Sequence, residues 1–305
     1  MQTLRLSPIF DTNIFGHVQS GLIPQRDWHF LLGRRPGHGW PISVVTVLEL
    51  LAGLAYVEPQ KFHQHREQVE LACQLSKDRI RILEEPRFLL CEEVLHVPFP
   101  SGLVRPPIRT LSLYMDVVRR ANSLEEILEE RVYFPLRKSR AGFKDTSVLK
   151  DLLAGPKREW IERSEQFATE IYPDWRRHFE ETGKRLPADM RERIESRLSS
   201  ETERAKFIET FLEWLRADTG PRSVAEMTRR LDAVLQFTDF VAREHLTRNY
   251  NLEKHESDVY DQFQLHYLAM DRFVIVSEDG DFRTRTARST QAGRVMSFEQ
   301  FLGTL

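Results

Sequence analysis

The chain has 305 residues, 41% of them hydrophobic and 30% charged, with 44 Lys and Arg against 46 Asp and Glu for a formal net charge of -2. That composition excludes a disordered polar tail, a collagen-like fibre and a membrane-embedded body, and the near-zero charge gives no sign of a general polyanion binder. Two cysteines, Cys73 and Cys91, cannot build a disulfide framework, and the opening MQTLRLSPIFDTNIFG lacks the pattern of a secretory signal, so a soluble cytoplasmic protein is expected.

Residues 4–10 (LRLSPIF) predict a short strand that stops at the turn-forming and capping residues Asp11, Thr12 and Asn13. Residues 41–45 (PISVV) predict a second strand that passes into a helix over 46–52, with Thr46 as its N-cap and Glu49 in its first turn. A helix over 59–77, a strand over 79–83 and a helix over 85–95 continue an α/β alternation. The stretch VPFPSGLVRPPIR then carries Pro98, Pro100, Pro106 and Pro107, which no helix continues through, and it marks a domain boundary. From 110 to 250 the pattern is that of long amphipathic helices, with Ile208, Phe211, Leu212 and Leu215 on one stripe and Val224, Met227, Leu231, Val234 and Leu235 on the next. Residues 256–270 predict one more helix, and Phe273 to Ser277 a buried strand that ends at Glu278, Asp279, Gly280, Asp281 and Phe282. The expected organisation is a discontinuous α/β domain, 1–100 and 251–305, with a central mostly parallel sheet, interrupted by an all-helical insertion over 101–250.

Asp11, Glu49, Asp261 and Asp279 each fall at or near a junction of strand and helix, and open parallel sheets bind ligands outside the carboxyl ends of their strands. Carboxylates gathered at one edge repel one another and resist desolvation unless a cation joins them, and carboxylate with water suits Mg²⁺ or Mn²⁺. Such an ion activates water for hydrolysis of a phosphodiester. One at a time the acids have ordinary explanations: an N-cap for Asp11, the helix dipole for Glu49, a turn for Asp279 and Gly280. Those explain each residue but not the set.

Other features carry less. His63 and His65, two apart on a helix, point to different faces, and the two cysteines are expected to pack as small hydrophobes. The glycines of LLGRRPGHGW (31–40) form no phosphate loop; a mobile loop is expected there, with Arg34, Arg35 and His38 near substrate. Phosphate contacts would come from RKSRAGFK (137–144) or, better placed beside Asp279, from RTRTARSTQAGR (283–294) through Arg283, Arg285 and Arg288. Trp28, Trp40 and Phe282 are the candidates for base stacking.

The pieces IFDTNIFG (9–16), ISVVTVLELLAGL (42–54) and DQFQLHYLAMDRFVIVSEDGDF (261–282) together resemble the PIN-domain nucleases, whose best-known members are ribonuclease toxins of toxin-antitoxin modules. The resemblance implies a PIN-like three-layer α/β fold and a Mg²⁺- or Mn²⁺-dependent endonuclease. Asp11, Glu49, Asp261 and Asp279 would be its metal-binding acids, supported by Thr12, Asn13 and Ser277, with Asp258 and Asp281 as rivals for the third and fourth places. It covers about half of the chain and says nothing of the insertion, which in family members is a short helical stretch. The expected activity is hydrolysis of RNA, single-stranded RNA above all, in a toxin-like or defence role. The alternatives are a DNA nuclease of defence or repair and an inactive scaffold, with a protein partner or self-association through the helical insertion.

Overall fold

In the structure, a computed structural model, residues 6–54, 57–77, 79–101, 107–129, 200–247 and 257–305 are described. The first strand, β1 (Ser7–Phe10), ends in three buried residues and leads directly into α1 (Thr12–Gln19) and then α2 (Gln25–Arg34). A second strand, β2 (Ile42–Ser43), runs into α3 (Val44–Gly53); a 3-10 turn at Pro59–Lys61 opens α4 (Phe62–Leu75), and β3 (Ile82–Leu83) follows. Next come α5 (Pro86–Leu89), continued by a wide turn over Leu90–Leu95, then α6 (Ile108–Arg120) and α7 (Leu124–Glu129). Three helices of the second half are α8 (Glu201–Trp214), α9 (Pro221–Arg230) and α10 (Asp232–Thr247). The chain closes through α11 (Ser257–Leu265), a 3-10 turn at His266–Ala269, β4 (Phe273–Val276), α12 (Gly280–Thr286), β5 (Val295–Met296) and α13 (Phe298–Leu302).

The architecture is mixed α/β with small parallel sheets. β1 pairs parallel with β4, from Ser7 opposite Phe273 to Phe10 opposite Val276, and β4 pairs parallel with β5. β2 pairs parallel with β3 and lies against β1, where Thr46 Oγ1 donates to the Phe10 carbonyl at 2.8 Å. The strands thus run in the order β3, β2, β1, β4, β5, with the ladder interrupted between β2 and β1. The chain leaves β1 toward β2 and leaves β4 toward β5, in opposite directions, so the ends of β1 and β4 form a switch point where such sheets open a crevice.

The sequence pattern gives Thr46 the cap of α3; the structure gives that role to Ser43, whose Oγ accepts from the Thr46 N–H at 3.0 Å. The helix therefore starts two residues early, Glu49 moves to its second turn, and Thr46 is released to tie β1 to β2. Replacing Ser43 by Ala leaves a buried N–H without its partner, and the expected loss is about 1 kcal/mol in urea unfolding.

Six aromatic rings explain why β1, α2 and the C-terminal helix come together. Phe10 meets Trp28, Trp40 and Phe301 at centroid distances of 6.4, 5.9 and 5.8 Å, Phe15 meets Trp28 edge-on, and Trp28 stacks on Phe298. Trp28, Trp40 and Phe282 are all buried, so none is a platform for bases; their area goes to the core. The loop before β2 is likewise pinned. Gly39, at φ 75°, lies so close to α4 that a Cβ would stand 2.5 Å from the Leu75 carbonyl, and that carbonyl accepts from the Trp40 N–H at 2.8 Å. Arg35 bonds the Gln74 carbonyl and Arg34 lies over the Phe30 ring. This loop enters the amino end of β2, so Arg34, Arg35 and His38 sit at the edge of the sheet opposite Asp11.

The described ends of the 101–250 stretch share the core of the α/β part. α6 packs on α3 and α4, with Arg66 Nη1 donating to the Ala121 carbonyl at 2.9 Å. Gln291, before β5, donates to the carbonyls of Arg230 and Leu268 at 2.8 and 2.7 Å and accepts from the Ala233 N–H at 2.9 Å, fastening the α9–α10 junction to the C-terminal segment. Arg204 pairs with Asp239 at 2.7 Å and Asp232 at 3.5 Å, joining α8 to α10. Residues 130–199, including the basic run 137–144, lie outside the described residues.

Candidate functional site

Asp11 follows β1 directly. Its N–H extends the ladder by donating to the Val276 carbonyl at 3.0 Å, while its carboxylate caps α1 by accepting from the Thr12 N–H at 2.8 Å. The second oxygen, Oδ2, accepts from Asn13 Nδ2 and from Ser277 Oγ, each at 2.7 Å. Asn13 turns its own Oδ1 to the Glu278 N–H at 3.1 Å, and Ser277 Oγ accepts from the Asp279 N–H at 3.1 Å. Thr12, Asn13 and Ser277, expected as supporting residues, all bond Asp11, and the bonds of Asn13 and Ser277 lock the end of β1 to the end of β4.

Thr12 also connects the acids. Its N–H serves Asp11 and its Oγ1 donates to Glu49 Oε2 at 3.0 Å, so carboxylates from β1 and α3 face one hydroxyl between them. Asp279 caps α12, with Oδ1 accepting from the N–H groups of Asp281 and Phe282 at 2.8 and 3.2 Å. Asp281 is exposed in the first turn of that helix and contributes its backbone to the cap. Asp261 is buried on α11, which packs on α3, the helix of Glu49. The side chain of Asp258 lies outside the described residues.

The electrostatics are those of charges held against their preference. Burial pushes the Asp11 carboxyl above its ordinary value, helped by the charge of Asp279 and opposed by the bonds from Ser277 and Thr12. Burial, then the charge of Asp11, pushes Glu49 well above its ordinary value against the bond from Thr12. Glu49 keeps an edge to solvent, so the pair is enclosed but reachable. Among the described residues no Lys or Arg forms an ion pair with Asp11, Glu49 or Asp279.

Among the described residues, Asp11, Glu49 and Asp279 therefore offer oxygen donors with no Lys or Arg paired to them, a set that would suit a hard divalent cation. Among the described residues, though, no three His, Cys, Asp or Glu side chains stand so as to hold one ion together, and the expected four-acid cage is not what the side chains form. Asp11 and Asp279 each turn one oxygen toward helix N–H groups, and the other oxygen of Asp11 accepts from Asn13 and Ser277. The arrangement fits an ion held by one or two carboxylates with water completing its shell, the usual manner of Mg²⁺.

The basic residues divide. Arg283 donates to the Ser277 carbonyl at 3.1 Å and lies 3.7 Å from Glu278, directly beside the acids, and Arg288 is exposed just beyond α12. An open depression of about 420 Å³ next to them is lined by Arg283, Ala287, Val295, Ser297 and Gln300. Arg285 is no phosphate ligand: it is 7% exposed, under the rings of Phe237 and Phe240. Phe282, Arg285 and Thr286 form the inner stripe of α12, which the spacing of the arginines in the sequence does not reveal. His63 is exposed and His65 bonds the Leu50 carbonyl, while burial pushes the Cys73 and Cys91 thiols up to about 12 and about 11. Those thiols are inert at neutral pH.

One residue absent from the sequence-based set belongs here. Gln264, one turn after Asp261 on α11 and fully buried, brings Nε2 to 3.5 Å from Asp11 Oδ1. Its signal was a polar residue three after an acid, beside the apolar Leu265 and Leu268. No family model, no curated protein and no solved structure matches the chain.

Proposed function

We propose that the chain is a PIN-like nuclease that hydrolyses RNA phosphodiesters with Mg²⁺ or Mn²⁺. The observation that carries this reading is the Asp11–Thr12–Glu49 unit: two carboxylates with raised pKa, with no Lys or Arg paired to them among the described residues, at the carboxyl end of β1 beside the β1/β4 switch point. A bound divalent ion would supply activation of water and neutralisation of charge at phosphorus. Asp11, held rigid by Thr12, Asn13 and Ser277, offers a fixed oxygen to such an ion, and Glu49 a second one on the solvent side. Thr12 keeps the two at a set separation, so that neither has to reorganise. Arg283 and Arg288 lie where the phosphates of a bound strand would pass.

The test is incubation of the purified full chain with labelled single-stranded RNA, single-stranded DNA and duplexes of both, with Mn²⁺ or with EDTA. Cleavage of single-stranded RNA that needs Mn²⁺ is the expected result. Cleavage confined to DNA would reassign the substrate. Silence on all four with Mn²⁺, or cleavage that persists in EDTA, would overturn the reading.

A further inference from the structure

Gln264 is fully buried, and its Oε1 has no hydrogen-bond partner among the described residues. Buried amides are almost always satisfied, because leaving an acceptor dry forfeits its hydration with no return. The residues that follow it, Leu265, Tyr267 and Leu268, are fully buried too, and an apolar side chain of similar length at 264 would carry no orphan atom. The orientation of the amide is set by charge. Nε2 faces Asp11 Oδ1 because an amide oxygen turned that way would meet a carboxylate, and this leaves Oε1, on the same head group, for a donor not yet supplied.

We propose that Gln264 is a positioning residue of the acidic site: Nε2 braces Asp11, and Oε1 accepts a hydrogen bond from the hydration shell of the divalent cation. Water bound to a cation presents its hydrogens outward, so an acceptor without a partner beside buried carboxylates matches it as another donor would not. The inference rests on the metal-dependent reading above and extends it to a residue on a different helix from the acids that touch Thr12.

The test measures Mn²⁺ binding to the full chain by calorimetry near neutral pH, without nucleic acid, so that it reads the site and not turnover. Q264M, which keeps the length and removes the amide, is expected to bind Mn²⁺ about 10-fold more weakly or worse. Q264E is expected to bind several-fold more tightly than the unsubstituted chain, a gain that no folding defect produces, and it decides the matter should Q264M fail to fold. Q262E is the control, since the Gln262 amide donates to Thr238 Oγ1 at 2.7 Å and its affinity should not move. If the unsubstituted chain binds Mn²⁺ and Q264M matches it within about 2-fold, or Q264E shows no gain, the role of Gln264 is overturned and the metal reading stands. If the unsubstituted chain binds no Mn²⁺, both fall.

Discussion

On the proposed metal-dependent reading, Asp11→Asn is expected to lower the single-turnover rate of RNA cleavage in Mn²⁺ by about 10³-fold while leaving the protein folded. A metal ion at a phosphoryl centre is worth several kcal/mol of charge stabilisation, and roughly 4 kcal/mol at about 1.4 kcal/mol per tenfold corresponds to that loss. The substitution keeps the shape of the side chain and removes its charge. An Asn oxygen can still accept from the Thr12 N–H, where Asp11 now does at 2.8 Å, so the cap of α1 survives. Its amide nitrogen would face Ser277 Oγ and Asn13 Nδ2, so both bonds to Oδ2 are lost, but Ser277 can turn its hydrogen away and Asn13 Nδ2 keeps its bond to Ser277 Oγ at 3.0 Å. The expected cost to the fold is therefore about 1 kcal/mol against a far larger cost to the rate. Asp281→Asn, on the exposed first turn of α12, is the comparison and should stay within about 2-fold. Equal rates for Asp11→Asn and the unsubstituted chain would remove Asp11 from the chemistry.

Glu49→Gln makes the metal-free protein more stable at neutral pH, by about 2 kcal/mol or roughly 5 °C in Tm, because an enclosed carboxylate without a cation costs several kcal/mol and this one keeps part of its hydration. The amide oxygen of Gln still accepts from Thr12 Oγ1, so the substitution removes charge without breaking the bond that Glu49 Oε2 makes at 3.0 Å. The same cause sets a pH dependence. Asp11 and Glu49 both have folded pKa values above their ordinary ones of 3.8 and 4.5, so the folded state holds these protons more tightly than the unfolded state. The stability they contribute is complete below those ordinary values and is lost as pH rises through the raised folded values. The metal-free Tm should accordingly increase as pH falls from neutral toward the ordinary carboxylate range, with a smaller increase in Glu49→Gln. On the proposed metal-dependent reading, Mn²⁺ would take the place of the protons, and its stabilising shift should be largest at the alkaline end. A Tm that falls over the same acid range in the unsubstituted chain, or a Glu49→Gln protein that melts lower, would contradict the burial that raises both groups.

Much of the frame is legible in the residues because strand ends here coincide with strong local signals. LRLSPIF stops at Asp11-Thr12-Asn13, and the β4 run FVIVS stops at Glu278-Asp279-Gly280, so both lips of the site are written where a buried apolar run meets capping residues. The start of α3 is not, because Ser43 and Thr46 are both good caps and only the contact of Thr46 with the Phe10 carbonyl separates them. That contact joins residues 36 positions apart, beyond the reach of any local rule. The basic run after Asp279 misleads for a related reason: three arginines at close spacing look alike in sequence, yet a helix turns Arg285 inward beneath Phe237 while Arg288 stays outside. Gln264 is the least legible residue. An isolated glutamine on an amphipathic helix ordinarily faces water, and its place three residues after Asp261 is a weak signal beside its burial against Asp11.

The pairing of β1 with β4 also sets an order of events. Phe10 waits for Val276, and Asp11 waits for Ser277, 266 positions later. At roughly 5–20 residues per second of synthesis, the first strand emerges about 13 to 50 s before the strand that completes its ladder. For that interval the nascent chain carries an apolar edge and a carboxylate that lacks two of its helpers, Ser277 and Gln264. They follow Asp11 by 266 and 253 positions, so the surroundings of its carboxylate stay incomplete until the chain has been read that far.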